Sequence, residues 1–458
     1  MKFYDREKEL AVLEKAYARE GADMAVISGR RRVGKSRLIE EFIKGKKAVS
    51  ILIVPKEEKQ VAKDIEDEIR AVAGYSPSFG TFRDAVEYMF EHGFDLICMD
   101  EFPNVLEVNK AIPYEMQRLW DRYKDKKDVL LVFSGSYMGM MNKLFAARKA
   151  PLFNRATNTI LLPPLPFGTV MEVLDGMGIK DSEEKIRFFC VFGGIPYYYV
   201  LIEKGEEKEF ETVIRSLFFE AGAQLREEGE NVLKQEFGGA YSKYYAILEA
   251  IHGGHVSMAE ISQKLGMRST TLAKYIKALQ KEFRMVERTV PFGQNPLKSK
   301  KGLYSITDNT IAFWFALVYG KRAPPSKEEM AAFLGRRFEF LCRGFLESYL
   351  EGRGEKIVRS GRWWGSIEVQ EGKFEQRDVD VVMETDKALY IGGCKWTGDK
   401  SGEAELSSLR ESAKALIACS RKPVVWVLFS LSGFSVKESE NVMLFDPEKI
   451  VGMAPGSD

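Results

Sequence analysis

The chain has only three histidines, His92, His252 and His255, among 458 residues. That number leaves nothing from which to build a histidine-rich metal centre. Its five cysteines, at positions 98, 190, 342, 394 and 419, are scattered and contain no CxxC pair. Neither a disulfide framework nor a zinc ribbon is expected, and buried thiols in a reducing, cytoplasmic setting are. No run of about 18 apolar residues occurs, so no membrane helix is expected. The opening MKFYDREKEL reads as a charged helix start, not a signal peptide. Charge of neither sign dominates: 68 Lys and Arg against 67 Asp and Glu leave +1. The chain as a whole is thus neither a basic nucleic-acid coat nor an acidic tail. Hydrophobic residues at 45% and charged residues at 29% exclude extensive disorder.

What is present is an alternation. Short apolar runs at Met24–Ser28, Val49–Val54, Phe94–Met99, Val129–Phe133 and Thr159–Leu162 are separated by helical patterns such as Ser36–Ile43 and Ile112–Tyr123. Runs without a polar face, joined by helices, predict a parallel α/β sheet. Beyond Pro166 the pattern turns mostly helical, broken at Gly193-Gly194-Ile195-Pro196. Ala323-Pro324-Pro325-Ser326 reads as a linker, a long helix at about 327–350 follows, and strand-like segments stand at 366–370, 378–384, 388–394 and 424–430.

Gly29-Arg30-Arg31-Arg32-Val33-Gly34-Lys35-Ser36 satisfies GxxxxGK[ST] between a strand and a helix. The glycines allow backbone N–H groups to turn inward around a phosphate, and the helix N-terminus adds partial positive charge. Lys35 is expected on the β- and γ-phosphates and the Ser36 hydroxyl on Mg²⁺. Arg30, Arg31 and Arg32 serve either as a solvated loop face or as charge for a phosphate or partner. With Val33 inside the loop and Arg37 just after it, these residues form the expected nucleotide-binding set. About 65 residues further on (35 to 100), an apolar strand ends in Asp100-Glu101. Asp100 is expected to hold Mg²⁺, and Glu101 to orient and deprotonate the attacking water. The next strand ends in Ser134-Gly135-Ser136, which offers Ser136 to the γ-phosphate or the water if the two strands are neighbours. Arg155 is a candidate charge stabiliser, or a plain surface arginine.

With these pieces assembled, the sequence resembles the archaeal-type ATPases of the AAA+/STAND group, often joined to a winged helix and a nuclease-like C-terminal domain. The matching pieces are Phe3-Tyr4-Asp5-Arg6-Glu7, GRRRVGKS at 29–36, Met99-Asp100-Glu101-Phe102, Ser134-Gly135-Ser136, Pro151-Leu152-Phe153-Asn154-Arg155 and Gly193-Gly194-Ile195-Pro196-Tyr197-Tyr198. The resemblance implies that the 3–7 segment, with Arg6, and the Gly-Ile-Pro turn flank an adenine, with Pro196 against the base. ATP or ADP with Mg²⁺ is the implied ligand.

Two further regions extend the expectation. Ala259–Leu265, a turn at 266–268 and a helix Thr270–Gln280 capped by Ser269 have helix–turn–helix spacing. The segment Met285–Ile306 reads as two strands around a basic tip. Arg268, Lys274, Lys277, Lys298 and Lys300 are the candidate contacts to double-stranded DNA, with pure scaffolding as the alternative. In the C-terminal region Glu339, Asp380 and Lys395 resemble the PD-(D/E)xK restriction-endonuclease-like fold, whose carboxylates bind Mg²⁺ beside a lysine. The acidic position two before the lysine is Gly393, so a degenerate nuclease is expected. Strand alternation sets 393 and 395 on one face, so glutamate at 393 is expected to restore the missing ligand. Glu368, Asp378 and Glu384 are the possible substitutes, and Trp363-Trp364 reads as a core corner.

The expected class is therefore α/β: a P-loop parallel-sheet ATPase domain (1–165), a helical lid (166–238), a winged helix (239–322) and a restriction-endonuclease-like domain (327–458). The expected function is a Mg²⁺-dependent ATP-binding and hydrolysing switch, with an unknown protein as a further possible partner. The alternatives are an ATP-gated DNA nuclease and a non-catalytic DNA-binding regulator.

Overall fold

The computed structural model describes residues 1–370, 372–418 and 420–454; Cys419 lies outside them. Residues Tyr4–Pro164 form one compact unit, and residues 1–3 with the chain from Leu165 onward form a second. The boundaries expected near 238, 322 and 327 fall inside the second unit.

In the first unit, β1 (Asp23–Ser28), β2 (Ala48–Leu52), β3 (Leu96–Asp100), β4 (Leu130–Gly135) and β5 (Asn158–Leu161) form one sheet in the order β2-β3-β4-β1-β5. Every neighbouring pair is parallel. Parallel strands need crossovers, and the helices that supply them cover both faces. Hence β1, β3 and β4 are buried along their whole length, which explains their unbroken apolar runs. Phe102, Phe133 and Phe145 pack together behind the sheet with ring centroids 4.5 to 6.0 Å apart. The order has a consequence for chemistry: β4 lies between β1 and β3, so its end stands between the loop after β1 and the carboxylates after β3.

The second unit begins with helices Phe167–Gly176, Ser182–Phe192, Pro196–Lys204, Phe210–Phe218 and Glu228–Phe237. The break at 193–195 has a steric cause. A Cβ at Gly194 would lie 2.0 Å from the Leu165 carbonyl oxygen, and the Gly194 carbonyl accepts from the Leu165 N–H at 2.7 Å. Three more helices follow, Tyr241–His252, Met258–Leu265 and Ser269–Lys281, then an antiparallel pair, β6 (Val286–Thr289) and β7 (Leu303–Ile306). Ser257 and Glu260 form a capping box on the second of them. Ser269 does not cap the third: Arg268 holds that position, and Ser269 is the first helical residue, its Oγ 3.3 Å from Ser262 Oγ.

After the linker, Ser326 and Glu329 box the start of the helix Lys327–Gly352. A mixed sheet then forms from β8 (Ile357–Gln370), β9 (Lys373–Thr385), β10 (Leu389–Lys395), β11 (Val424–Ser430) and β12 (Val442–Phe445), in the order β12-β11-β10-β9-β8. Strands β8, β9 and β10 pair antiparallel, and β10, β11 and β12 parallel. β8 is longer than the expected 366–370 because register shifts interrupt its alternation, one of them between Gly361 and Trp363. Trp363 packs against the core of this sheet, as a corner residue would. Cys98, Cys190 and Cys342 are free and buried; burial pushes the thiols of Cys98 and Cys190 up to about 12, so they stay protonated.

Arg337 joins the long helix to the end of β7. Its buried guanidinium donates to the carbonyls of Ile306 at 2.9 Å and Thr307 at 2.8 Å, and to Asn309 Oδ1. Arg337→Met keeps the stem and removes the donors, leaving buried carbonyls unpaired. A loss of about 2–4 kcal/mol in urea-unfolding stability is expected; a loss under about 0.5 kcal/mol would show that the bonds are dispensable.

Candidate functional site

The loop after β1 is shaped for an oxyanion. Gly34 takes φ +95° at the N-terminus of the helix Lys35–Phe42, and Arg32 takes φ +67°. Gly29 is pressed against the Leu162 carbonyl oxygen, which a Cβ would approach to 2.7 Å. Lys35 is 5% exposed, and its Nζ donates to the carbonyls of Gly29 at 3.1 Å and Arg30 at 3.0 Å. Its ammonium is thereby folded across the loop. Val33 is buried, and Arg30, Arg31 and Arg32 are half-buried. Arg37 is not part of the loop face: it is exposed and donates to Glu40 at 3.0 Å, one turn along its own helix.

Asp100 gathers three elements. Its Oδ2 accepts from Ser36 Oγ at 2.5 Å, and its Oδ1 accepts from Ser134 Oγ and, at 2.9 Å, from the N–H of Glu101. Ser134 is fully buried. Its role was missed from sequence, although a serine closing a run of Leu, Val and Phe in a strand buried on both faces is itself a signal. Glu101 takes φ +50°, a conformation that a side-chain-bearing residue adopts at a cost. Both its carboxylate oxygens are held by Ser136, one by the N–H at 3.1 Å and the other by Oγ. Ser136 thus meets the Glu101 carboxylate. Ser36 Oγ and Asp100 Oδ2 are adjacent hard oxygens at the loop's end. Such a pair suits Mg²⁺, which keeps waters and phosphate oxygens as its other ligands.

The remaining candidates have other partners in this structure. Arg155 is bidentate to Asp121, at 3.1 and 2.8 Å, and also donates to the carbonyls of Pro151 and Phe153. Arg6 is 4% exposed with φ +101°, and donates to the Pro163 carbonyl at 2.7 Å. It fastens the start of the helix Glu7–Tyr17 to the segment after β5. Pro196 belongs to the second unit, where it opens the helix Pro196–Lys204.

In the second unit Arg268, Lys274 and Lys277 are exposed along the third helix of the trio, and Lys298 and Lys300 are exposed in the β6–β7 loop. Glu339 and Asp380 line one cavity. Asp380 sits where β9 carries an extra residue opposite Gly361–Trp363 of β8, and its Oδ2 accepts from the Cys394 N–H at 2.8 Å. Cys394 of β10 stands against Cys342 of the long helix, and Trp396, just after β10, has its ring 5.1 Å from Phe338. Gly393 faces the other way: a Cβ there would meet Leu409 and Leu428 at 3.9 Å, in the apolar layer. Alternation puts Lys395 on that layer too. It bears on the ionisation of both Asp380 and Glu405 without an ion pair among the described residues. The expectation that Gly393→Glu restores a ligand is therefore corrected: the carboxylate would enter a leucine layer. Asp378 also acts on Glu339, whereas Glu384 is taken by Arg359 and Lys422, and Glu368 accepts from the Gly372 N–H. Among the described residues no group of three or more His, Cys, Asp or Glu is placed to hold a metal.

Burial and the nearby Asp380 and Asp378 push the Glu339 carboxyl up to about 7, against the opposing pull of Arg362 and Arg343. The sign follows from linkage. The folded state holds this proton up to about 7 and the unfolded chain only to about 4.5, so stability is lost as pH rises between those values. The loss amounts to at most about 3 kcal/mol. Glu339→Gln should therefore gain stability over wild type as pH rises from about 5 to 7 and then level off, in urea melts. A difference that stays flat over that range would contradict the buried-acid assignment.

Residues 3–202 match a family described as an ATPase domain predominantly from Archaea, and residues 323–406 match one described as archaeal and bacterial proteins of unknown function. An uncharacterized protein of Methanocaldococcus jannaschii is 28% identical over 410 residues, 86% of this chain and 87% of that one. Among solved structures, the Walker-type ATPase of Pyrococcus abyssi is similar at 17% identity and TM-score 0.49, over 68% of this chain and 96% of its own. The ORC2 protein of Aeropyrum pernix, solved in ADPNP–ADP complexes, is similar at 13% identity and TM-score 0.45, over 74% and 97%. No helix among the described residues is long and apolar enough to cross a membrane. Residues 3–202 are thus similar to an ATPase domain found predominantly in Archaea.

Proposed function

We propose that the protein is a Mg²⁺-dependent, ATP-binding and ATP-hydrolysing switch of the AAA+/STAND type. The observation that carries this reading is the chain of contacts Ser36–Asp100–Ser134 beside Glu101–Ser136, at the mouth of a loop whose lysine is folded across it. ATP enters with its phosphates on the loop N–H groups. Lys35 then exchanges its two carbonyl partners for β- and γ-phosphate oxygens, where a full charge is the better acceptor. Ser36 and Asp100 hold the metal, whose contribution is to neutralise phosphate charge. Glu101 accepts the proton of the attacking water. Ser136, already bonded to Glu101, fixes the direction of that carboxylate. The switch acts on the second unit, read as a helical lid, a winged helix and a nuclease-like fold that has lost cleavage. The exposed row of Arg268, Lys274 and Lys277 favours a DNA contact through the winged helix. The nuclease alternative has less support, because no group of three or more acidic, Cys or His residues among the described residues is placed to hold a metal.

Two substitutions test the reading separately. Lys35→Ala removes the loop's fixed cation and is expected to weaken ATP binding about tenfold or more in calorimetry and to abolish turnover. Wild-type affinity and rate in that variant would mean that the site is misassigned. Glu101→Gln is expected to leave ATP binding intact and slow phosphate release by about 10²-fold or more, the usual cost of losing a general base. An unchanged single-turnover rate would remove Glu101 from that role.

A further inference from the structure

A cavity of about 320 Å³ lies between the long helix, strands β8 and β9, and the β6–β7 hairpin, all within the second unit. Its size is in the range of small-molecule sites. Three arginines line it, Arg336, Arg343 and Arg362. Arg343 is shared with Glu287 of β6 at 3.2 Å. Arg362 lies over the ring of Trp364, which also lines the cavity, at 5.3 Å, and its Nε is buried with no hydrogen-bond partner. A buried guanidinium N–H without an acceptor costs stability unless something supplies one. The opposite chemistry stands beside it. Asp380 has one oxygen engaged by the Cys394 N–H, and Glu339 keeps its proton up to about neutral pH. The cavity therefore offers planar cations, aromatic walls from Trp364 and Phe340, and an acid pair able both to accept and to donate.

We propose that this cavity binds a 5′-mononucleotide: the phosphate on the arginine fork, the base against the aromatic walls, its amino and ring-nitrogen edge on Asp380 and Glu339. Guanidiniums match phosphate oxygens in pairs, and stacking on Trp is tolerant of the base. Carboxyl groups read a base's N–H donors as they read the amino group of cytosine. Size and access favour a single nucleotide over a nucleic-acid strand. The β6–β7 hairpin forms one wall of the cavity and is pinned across β8 by the Phe292 N–H, which donates to the Arg362 carbonyl at 2.9 Å. Phe292 itself packs into the core of the C-terminal sheet and lies under Arg359 at 5.4 Å. A duplex would have to lift that hairpin. The inference is independent of the reading of the phosphate loop in the first unit.

The test is calorimetry on the full chain carrying Lys35→Ala, which weakens the other nucleotide site. The probes are AMP, GMP, CMP, UMP, inorganic phosphate and a short single-stranded oligonucleotide. At least one mononucleotide should bind saturably, about tenfold or more tighter than phosphate, and tighter than the oligonucleotide. Adding Arg362→Met should weaken it about tenfold or more, as expected for a lost charge-assisted contact. Arg336→Met, at an exposed position, should weaken it in the same direction; circular dichroism checks that both variants fold. Absence of saturable mononucleotide binding at about millimolar concentration overturns the proposal. So does affinity that neither arginine substitution changes, phosphate binding as tight as the nucleotides, or preferential binding of the oligonucleotide.

Discussion

The first unit depends on one carboxylate. Asp100 ends β3 and accepts hydrogen bonds from Ser36 at the end of the phosphate loop and from Ser134 at the end of β4. Those bonds are possible because β4 runs between β1 and β3 in a parallel sheet. Parallel strands present all their C-terminal ends on one edge, so the loop, the acid and the serines share that edge without any long excursion of the chain. Glu101, one residue on, is turned by its left-handed backbone toward Ser136. The left-handed backbone and the paired serine bonds together fix the direction of the Glu101 carboxylate.

Much of this was legible from the residues. A continuous apolar run in an α/β pattern reports a strand buried on both faces, and all five such runs of the first unit became strands. The loop motif carries its own geometry, because glycine and lysine at those spacings leave few alternatives. Ser134 was harder to see, since a lone serine at a strand end reads as a turn until the strand order is known. Arg155 and Arg6 show the opposite limit. Both are arginines in matching motifs, and both spend their donors on backbone carbonyls or a nearby aspartate. Sequence spacing does not report which partner a long side chain chooses.

The second unit was read less well for a physical reason. Its sheet contains a β-bulge at Asp380, and one extra residue in a strand changes which side chains share a face. Counting by twos along β10 groups residues 393 and 395 on one face. It could not reveal that the aspartate across from them had been turned to the other layer. The short strand β12 also escaped notice, because four apolar residues carry too little period to separate from a loop. Asp380, at the bulge, lines a cavity with its own chemistry, in which arginines and two acids stand where a metal-binding set was expected.

The central claim, that the first unit hydrolyses ATP with a divalent cation, is tested most directly by a single-turnover assay. Excess wild-type protein is mixed with ATP labelled on the γ-phosphate, with Mg²⁺ in one arm and a chelator in the other, and released phosphate is followed in time. The account predicts release to completion with Mg²⁺ and none with the chelator. Equal release in the two arms, or none in either while ATP remains bound, would contradict it.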